Sequence, residues 1–280
     1  MSDTDLPEHV AAFLAVAGTP ARPWPTLTAA EARAQHLATR KLDADPPDVP
    51  TADVEVARVD GSRLALRTYG DGDGPVIVFL HGGGWVYGDL DMVDGPCRRL
   101  ADTLGARVCS VDYRLSPEHR FPAALDDACL AVEWAHEHLS GRRPVAVAGS
   151  SAGGNLAIAA TLVDRDAGTG RIGLHVPMCP VIDAAFDTPS YAAHATGMFL
   201  SADDMRWYWG HYLADPSEAA NPLASVGRAD LHGMPPALVI TAGHDVLRDE
   251  GEAYARDLAA AGGVVRLVRF EHMIHAAAED

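Results

Sequence analysis

Gly149-Ser150-Ser151-Ala152-Gly153 sets a serine between two glycines in the G-x-S-x-G pattern. This pattern marks a sharp strand-to-helix turn that lifts a hydroxyl clear of the backbone. Glycine on either side removes the Cβ that so tight a turn would drive into neighbouring chain. With 26 glycines and 11 serines in 280 residues, roughly 0.1 accidental matches are expected, so the motif gains its weight from context. A serine hydroxyl is a weak nucleophile at neutral pH. It needs a histidine to take its proton, and that histidine needs a carboxylate to orient it and balance the imidazolium. Asp245 and His275 follow Ser151 in the order serine, acid, histidine. Asp183 and Asp249 are rival acids, Asp249 also suiting a helix cap. His272 is a rival base that residue chemistry alone leaves open beside His275.

Acyl transfer builds negative charge on a carbonyl oxygen, which preorganised backbone N–H groups stabilise. His81-Gly82-Gly83-Gly84 offers amides with no side chains in the way. Gly83, Gly84 and Ala152 are the expected donors, with Gly82 a further candidate. A phosphate-binding loop fits poorly, because this loop has neither a G-x-G-x-x-G spacing nor a G-K-[ST] ending. His81 reads as a structural hydrogen-bonding residue.

These groups need elements to hold them. Val76 to Leu80 is continuously apolar, the mark of a strand covered on both faces, and it runs into the glycine-rich loop. ARVCSVDY, PVAVAG, LHVPMC, PALVITAG and VVRLVRF read as further strands. Helical patterns lie between them, including the alanine- and leucine-rich run after Ser151 and one from about Asp249 to Ala261 stopped by Gly262 and Gly263. Ser151, Asp245 and His275 then fall at the C-terminal ends of strands, where sites assemble in such sheets. Strands alternating with helices predict an α/β fold with a mostly parallel central sheet flanked by helices. Residues 184–230, with the aromatics Trp207, Tyr208 and Trp209, break the alternation.

Composition narrows the class. An apolar fraction of 48% with 22% charged residues describes a globular chain, and no apolar run reaches membrane-spanning length. The formal charge of −17 opposes nucleic acid and anionic membrane as partners. The acidic start lacks a secretory pattern, so a cytoplasmic location is expected. Cys97, Cys109, Cys129 and Cys179 have no metal-ligand spacing, so no metal site is predicted and the thiols are expected to be reduced and mostly buried.

The sequence resembles the hormone-sensitive-lipase-like esterases, the bacterial family IV carboxylesterases. The resemblance rests on HGGGWVYGD (81–89), YRLSPEHRFPAALDDA (113–128), GSSAGGNLA (149–157), DVLRDEGEAYA (245–255) and MIH (273–275). It implies an α/β-hydrolase fold over residues 51–280. A helical cap would be formed by residues 1–50 and an insertion at about 184–230. It implies Ser151, Asp245 and His275 as triad, deciding for His275 over His272, and an oxyanion hole at Gly83, Gly84 and Ala152. Trp85, Tyr87 and Ser150 would contact substrate, although core packing explains the two aromatics equally well. A small-molecule ester, with short to medium acyl chains and no cofactor, is the substrate such relatives take, and a homodimer is the assembly left open.

Three substitutions depart from the family pattern without removing a catalytic group. Ser150 stands for aspartate, Val246 for the proline of D-P-L, and His272 for the glycine of G-M-I-H. Relatives continue past the histidine into a final helix, so with the sequence ending at Asp280 the face under that helix is expected to be exposed, filled by a partner, or bared by truncation. Two other functions share these residues: a biosynthetic deacetylase or acyl-transfer enzyme acting on one metabolite, and, less favoured, a non-catalytic small-molecule binder.

Overall fold

The computed structural model describes residues 22–40 and 42–275, together with 6–8, 10, 11 and 14. Much of the N-terminal stretch expected to be helical therefore lies outside the described residues. From Arg22 onward a 3-10 turn (Trp24–Thr26) leads into α1 (Ala29–Thr39), β1 (Thr51–Ala57), β2 (Arg63–Tyr69), β3 (Val76–Leu80), α2 (Asp94–Leu104) and β4 (Arg107–Val111). The chain continues through α3 (Ala123–His138), β5 (Val145–Ser150), α4 (Ala152–Asp166), β6 (Ile172–Met178), α5 (Pro189–Ala193) and α6 (Ala202–Tyr212). It then forms β7 (Ala237–His244), α7 (Arg248–Ala260) and β8 (Val265–Ile274).

The strands make one sheet of eight in the order β1-β2-β4-β3-β5-β6-β7-β8. From β4 to β8 every neighbouring pair is parallel, as the alternation of strands and helices requires. β1 and β2 pair antiparallel, and β2 joins β4 in the same sense. The link from β1 to β2 is a turn closed by Arg58 N–H donating to Ser62 O at 2.9 Å, far too short for the crossover a parallel pair needs.

Both faces are covered. β3 is buried at all five positions. One apolar cluster joins it to α3, α4 and α7, and a second, with Tyr69, Phe79, Cys97 and Ala101, lies under α2. α7 begins one residue before the expected Asp249, and after it Gly262 N–H and Gly263 N–H return to Ala259 O and Leu258 O. β8 runs four residues beyond the apolar run that announced it, following a register irregularity between Ala242 and His244, and its extension carries the chain to His275. Residues 184–230 hold α5, α6 and two 3-10 turns, Pro216–Ala220 and Val226–Arg228. Among the described residues no helix is long and apolar enough to cross a membrane.

Candidate active site

Ser151 stands between the strand β5 and the helix α4, as the helix N-cap residue, with φ 56° and ψ −116°. That left-handed backbone is costly for a residue with a Cβ, and the surroundings hold it. Ser151 N–H donates to Met178 O at 2.9 Å, and Val181 N–H donates to Ser151 O at 3.2 Å. α4 then packs against β3 so closely that a Cβ on Gly153 would stand 2.0 Å from Leu80 O. The second glycine of the motif is therefore a condition of the turn.

Asp245 follows β7 and His275 follows β8. His275 Nδ1 lies 2.7 Å from Asp245 Oδ2, and His275 Nε2 lies 2.9 Å from Ser151 Oγ. The other oxygen of Asp245 accepts the Leu247 N–H at 3.0 Å. Assigned from this network, Nδ1 carries the proton donated to Asp245 and Nε2 accepts from the serine hydroxyl. Ser151, Asp245 and His275 are 7%, 1% and 8% exposed, so the chain of hydrogen bonds runs largely out of water.

The rivals are elsewhere. His272 is exposed on β8. Asp183 pairs with the Arg228 guanidinium at 2.8 and 3.1 Å. Asp249 accepts from Ser190 N–H at 2.7 Å and from Arg248. It does not cap α7, contrary to the sequence reading, because the N-cap residue is Leu247 and no side chain bonds there.

Gly83 and Gly84 have φ 99° and 58°, and a Cβ on Gly84 would stand 2.1 Å from the Tyr208 ring. Among the described residues the N–H groups of Gly83, Gly84 and Ala152 have no hydrogen-bond acceptor, which leaves them available to a ligand. Gly82 uses its carbonyl, accepting from His81 Nδ1 at 2.7 Å. His81 is fully buried, stacks on Tyr113 at 4.1 Å and accepts the Tyr113 hydroxyl through its carbonyl at 2.8 Å. Burial pushes its imidazole down to about 4, so it stays neutral and braces the loop.

Trp85 has no exposed surface and stacks on Tyr212 with ring centres 4.0 Å apart, the surroundings of a packing residue. Tyr87 is half-buried, its hydroxyl 2.9 Å from that of Tyr208 and its ring against Trp24 and His36. Ser150 is 1% exposed. A cavity of about 330 Å³, lined by Phe186, Thr188, Tyr191, Thr196 and Arg206 among others, opens within residues 184–230.

Two residues near the site had no signal in the sequence. Arg33 on α1 donates to Val86 O and Ser116 O, each at 2.7 Å, and pairs with Glu118, so it ties the N-terminal helix to the glycine loop. Cys179, just past β6, comes up beside Asp245 and His275. Neither sits in a local pattern, since each acts across tens of residues.

A family model described as the alpha/beta hydrolase fold matches residues 77–279. Carboxylic ester hydrolase LipN of Mycobacterium tuberculosis is 42% identical over 220 residues, which are 75% of this chain and 58% of LipN. This chain thus spans under two thirds of that relative. Carboxylesterase NlhH of the same organism is 38% identical over 267 residues, covering 89% of this chain and 83% of NlhH. The crystal structure of a thermostable esterase from Pseudomonas putida superposes with a TM-score of 0.90 at 38% identity, over 100% of this chain and 91% of that one. Sequence motifs, sheet topology and these relatives agree, and the chain belongs to the α/β-hydrolase-fold family, on its hormone-sensitive-lipase-like branch.

Proposed function

We propose that the protein is a serine carboxylesterase that hydrolyses short- to medium-chain carboxylic esters through an acyl-enzyme on Ser151. The observation that carries this reading is the unbroken path from Ser151 Oγ through His275 to Asp245, at 2.9 and 2.7 Å. His275 Nε2 takes the hydroxyl proton as Ser151 attacks the ester carbonyl, and returns it to the departing alcohol. Asp245 holds the ring in the tautomer that leaves Nε2 free to accept. The N–H groups of Gly83, Gly84 and Ala152 receive the oxyanion, each donor contributing roughly 3–4 kcal/mol to the transition state. Water, activated by the same histidine, then releases the acid. No step calls for a metal or organic cofactor.

The N-terminal region through residue 50 and the segment 184–230 act as a cap over this site in our reading. Tyr208, on α6 of that segment, lies against Gly84, which supports the assignment.

A screen of p-nitrophenyl esters from acetate to decanoate tests the proposal. The expected result is highest kcat/KM on the shorter chains with a fall toward decanoate. Failure to turn over any of them, by protein whose Ser151 reacts with a fluorophosphonate, would favour acyl transfer on a dedicated metabolite. Failure to label at all would favour a non-catalytic binder.

A further inference from the structure

Three strand ends converge behind the nucleophile. Cys179 follows β6, Asp245 follows β7 and His275 follows β8. The Cys179 Sγ, a carboxylate oxygen of Asp245 and a ring nitrogen of His275 all lie within 4.8 Å of one another. The three residues are 1%, 1% and 8% exposed. Cys179 is anchored by its backbone, whose N–H donates to Ile240 O at 2.7 Å and whose φ is 41°, in the left-handed region that side-chain-bearing residues rarely adopt.

One thiol, one carboxylate and one imidazole form the donor set of a borderline divalent cation, whereas calcium and magnesium take oxygen alone. Tetrahedral zinc bonds hold such donor atoms roughly 3.5 Å apart, so this cluster needs side-chain movements of about 1 Å to close on an ion. Cysteine spacing along the chain cannot reveal such a group, because its members come from three separate strand ends.

We propose that a borderline divalent cation, with Zn²⁺ as its type, binds Cys179, Asp245 and His275 and reversibly switches off the catalytic site. The Cys179 S–H bond breaks, its proton leaves to solvent, and a metal–sulfur bond forms. The ion takes the Asp245 oxygen and the His275 Nδ1 that otherwise share a proton, and that proton moves to Nε2. The ring remains neutral, but Nε2 now carries hydrogen and no longer accepts the proton of Ser151. The effect on turnover rests on the esterase reading above, whereas binding does not.

Titration of the full chain with Co²⁺, after dialysis against chelator, reads the binding directly. The expected result is a thiolate-to-cobalt charge-transfer band with the strong visible absorption of four-coordinate cobalt, lost in Cys179→Ser and kept in Cys129→Ala. Zn²⁺ should inhibit ester turnover reversibly with EDTA, and the inhibitory concentration should rise at least roughly tenfold in Cys179→Ser, each variant being compared with its own uninhibited rate. Cys179→Ala serves as a second variant, and circular dichroism checks that each is folded. An unchanged cobalt band in both Cys179 variants, or no binding of either metal by the parent, would overturn the proposal. Absence of ester turnover without metal would sink the esterase reading alone and leave the cobalt band to decide the binding.

Discussion

His272 and His275 stand three residues apart, a spacing that turns side chains to opposite faces of an extended chain. His272 is exposed, while His275 is 8% exposed and 2.9 Å from Ser151 Oγ. Residue types could not separate them, because either histidine lies within loop reach of a serine; the family motif favoured His275, and the structure brings that residue to both Ser151 and Asp245. His275→Ala should lower kcat by roughly four orders of magnitude or more, in line with loss of the base in other triads. His272→Ala should stay within about twofold, since exposed side chains away from a site contribute little. Steady-state kinetics on p-nitrophenyl acetate decides it, and equal losses in both variants would leave the base unassigned. Asp249 shows the limit of reading single residues. It looked like a helix cap because it stands at the start the sequence predicts for α7, yet its carboxylate bonds the Ser190 backbone 59 positions away.

At the scale of elements, continuous apolar runs and glycine stops made the parallel strands and their helices legible, because burial on both faces and helix termination are local in sequence. The attachment of α1 was not legible, because it depends on contacts between distant segments. Arg33 is the clearest case, with Val86 lying 53 residues on. It donates to Val86 O, just past the glycine loop, and to Ser116 O, whose own N–H donates to Trp85 O, and a guanidinium suits this because its donors form a rigid fork. Arg33 is therefore a positioning residue. Arg33→Ala should lower kcat by roughly 10–100-fold with KM little changed, since a displacement of the donors by about 1 Å costs that much. Arg33→Lys should restore only part of the rate. A folded Arg33→Ala protein with parental kcat would show the loop to be self-supporting.

Across the whole molecule, buried carboxyls set a pH dependence that charge counting misses. Glu250 is 5% exposed, and burial pushes its carboxyl well above the ordinary 4.5, aided by Asp245 and Asp183 nearby, although the Ile182 N–H bonded to it at 2.7 Å opposes the shift. A carboxyl raised in the fold binds more protons folded than unfolded once the pH exceeds 4.5. Its contribution to stability is thus full below that pH and fades as pH rises toward the folded value. Glu250→Gln removes the titration, so its Tm should gain on the parent as pH climbs from about 5 to 8. A gap that is constant with pH, or that shrinks, would contradict this. Whether this fold assembles a working serine nucleophile from three strand ends is decided by turnover of p-nitrophenyl acetate by folded Ser151→Ala. The expected result is a loss of roughly four orders of magnitude or more, leaving only what the oxyanion donors and substrate binding supply. Turnover within tenfold of the parent would contradict it.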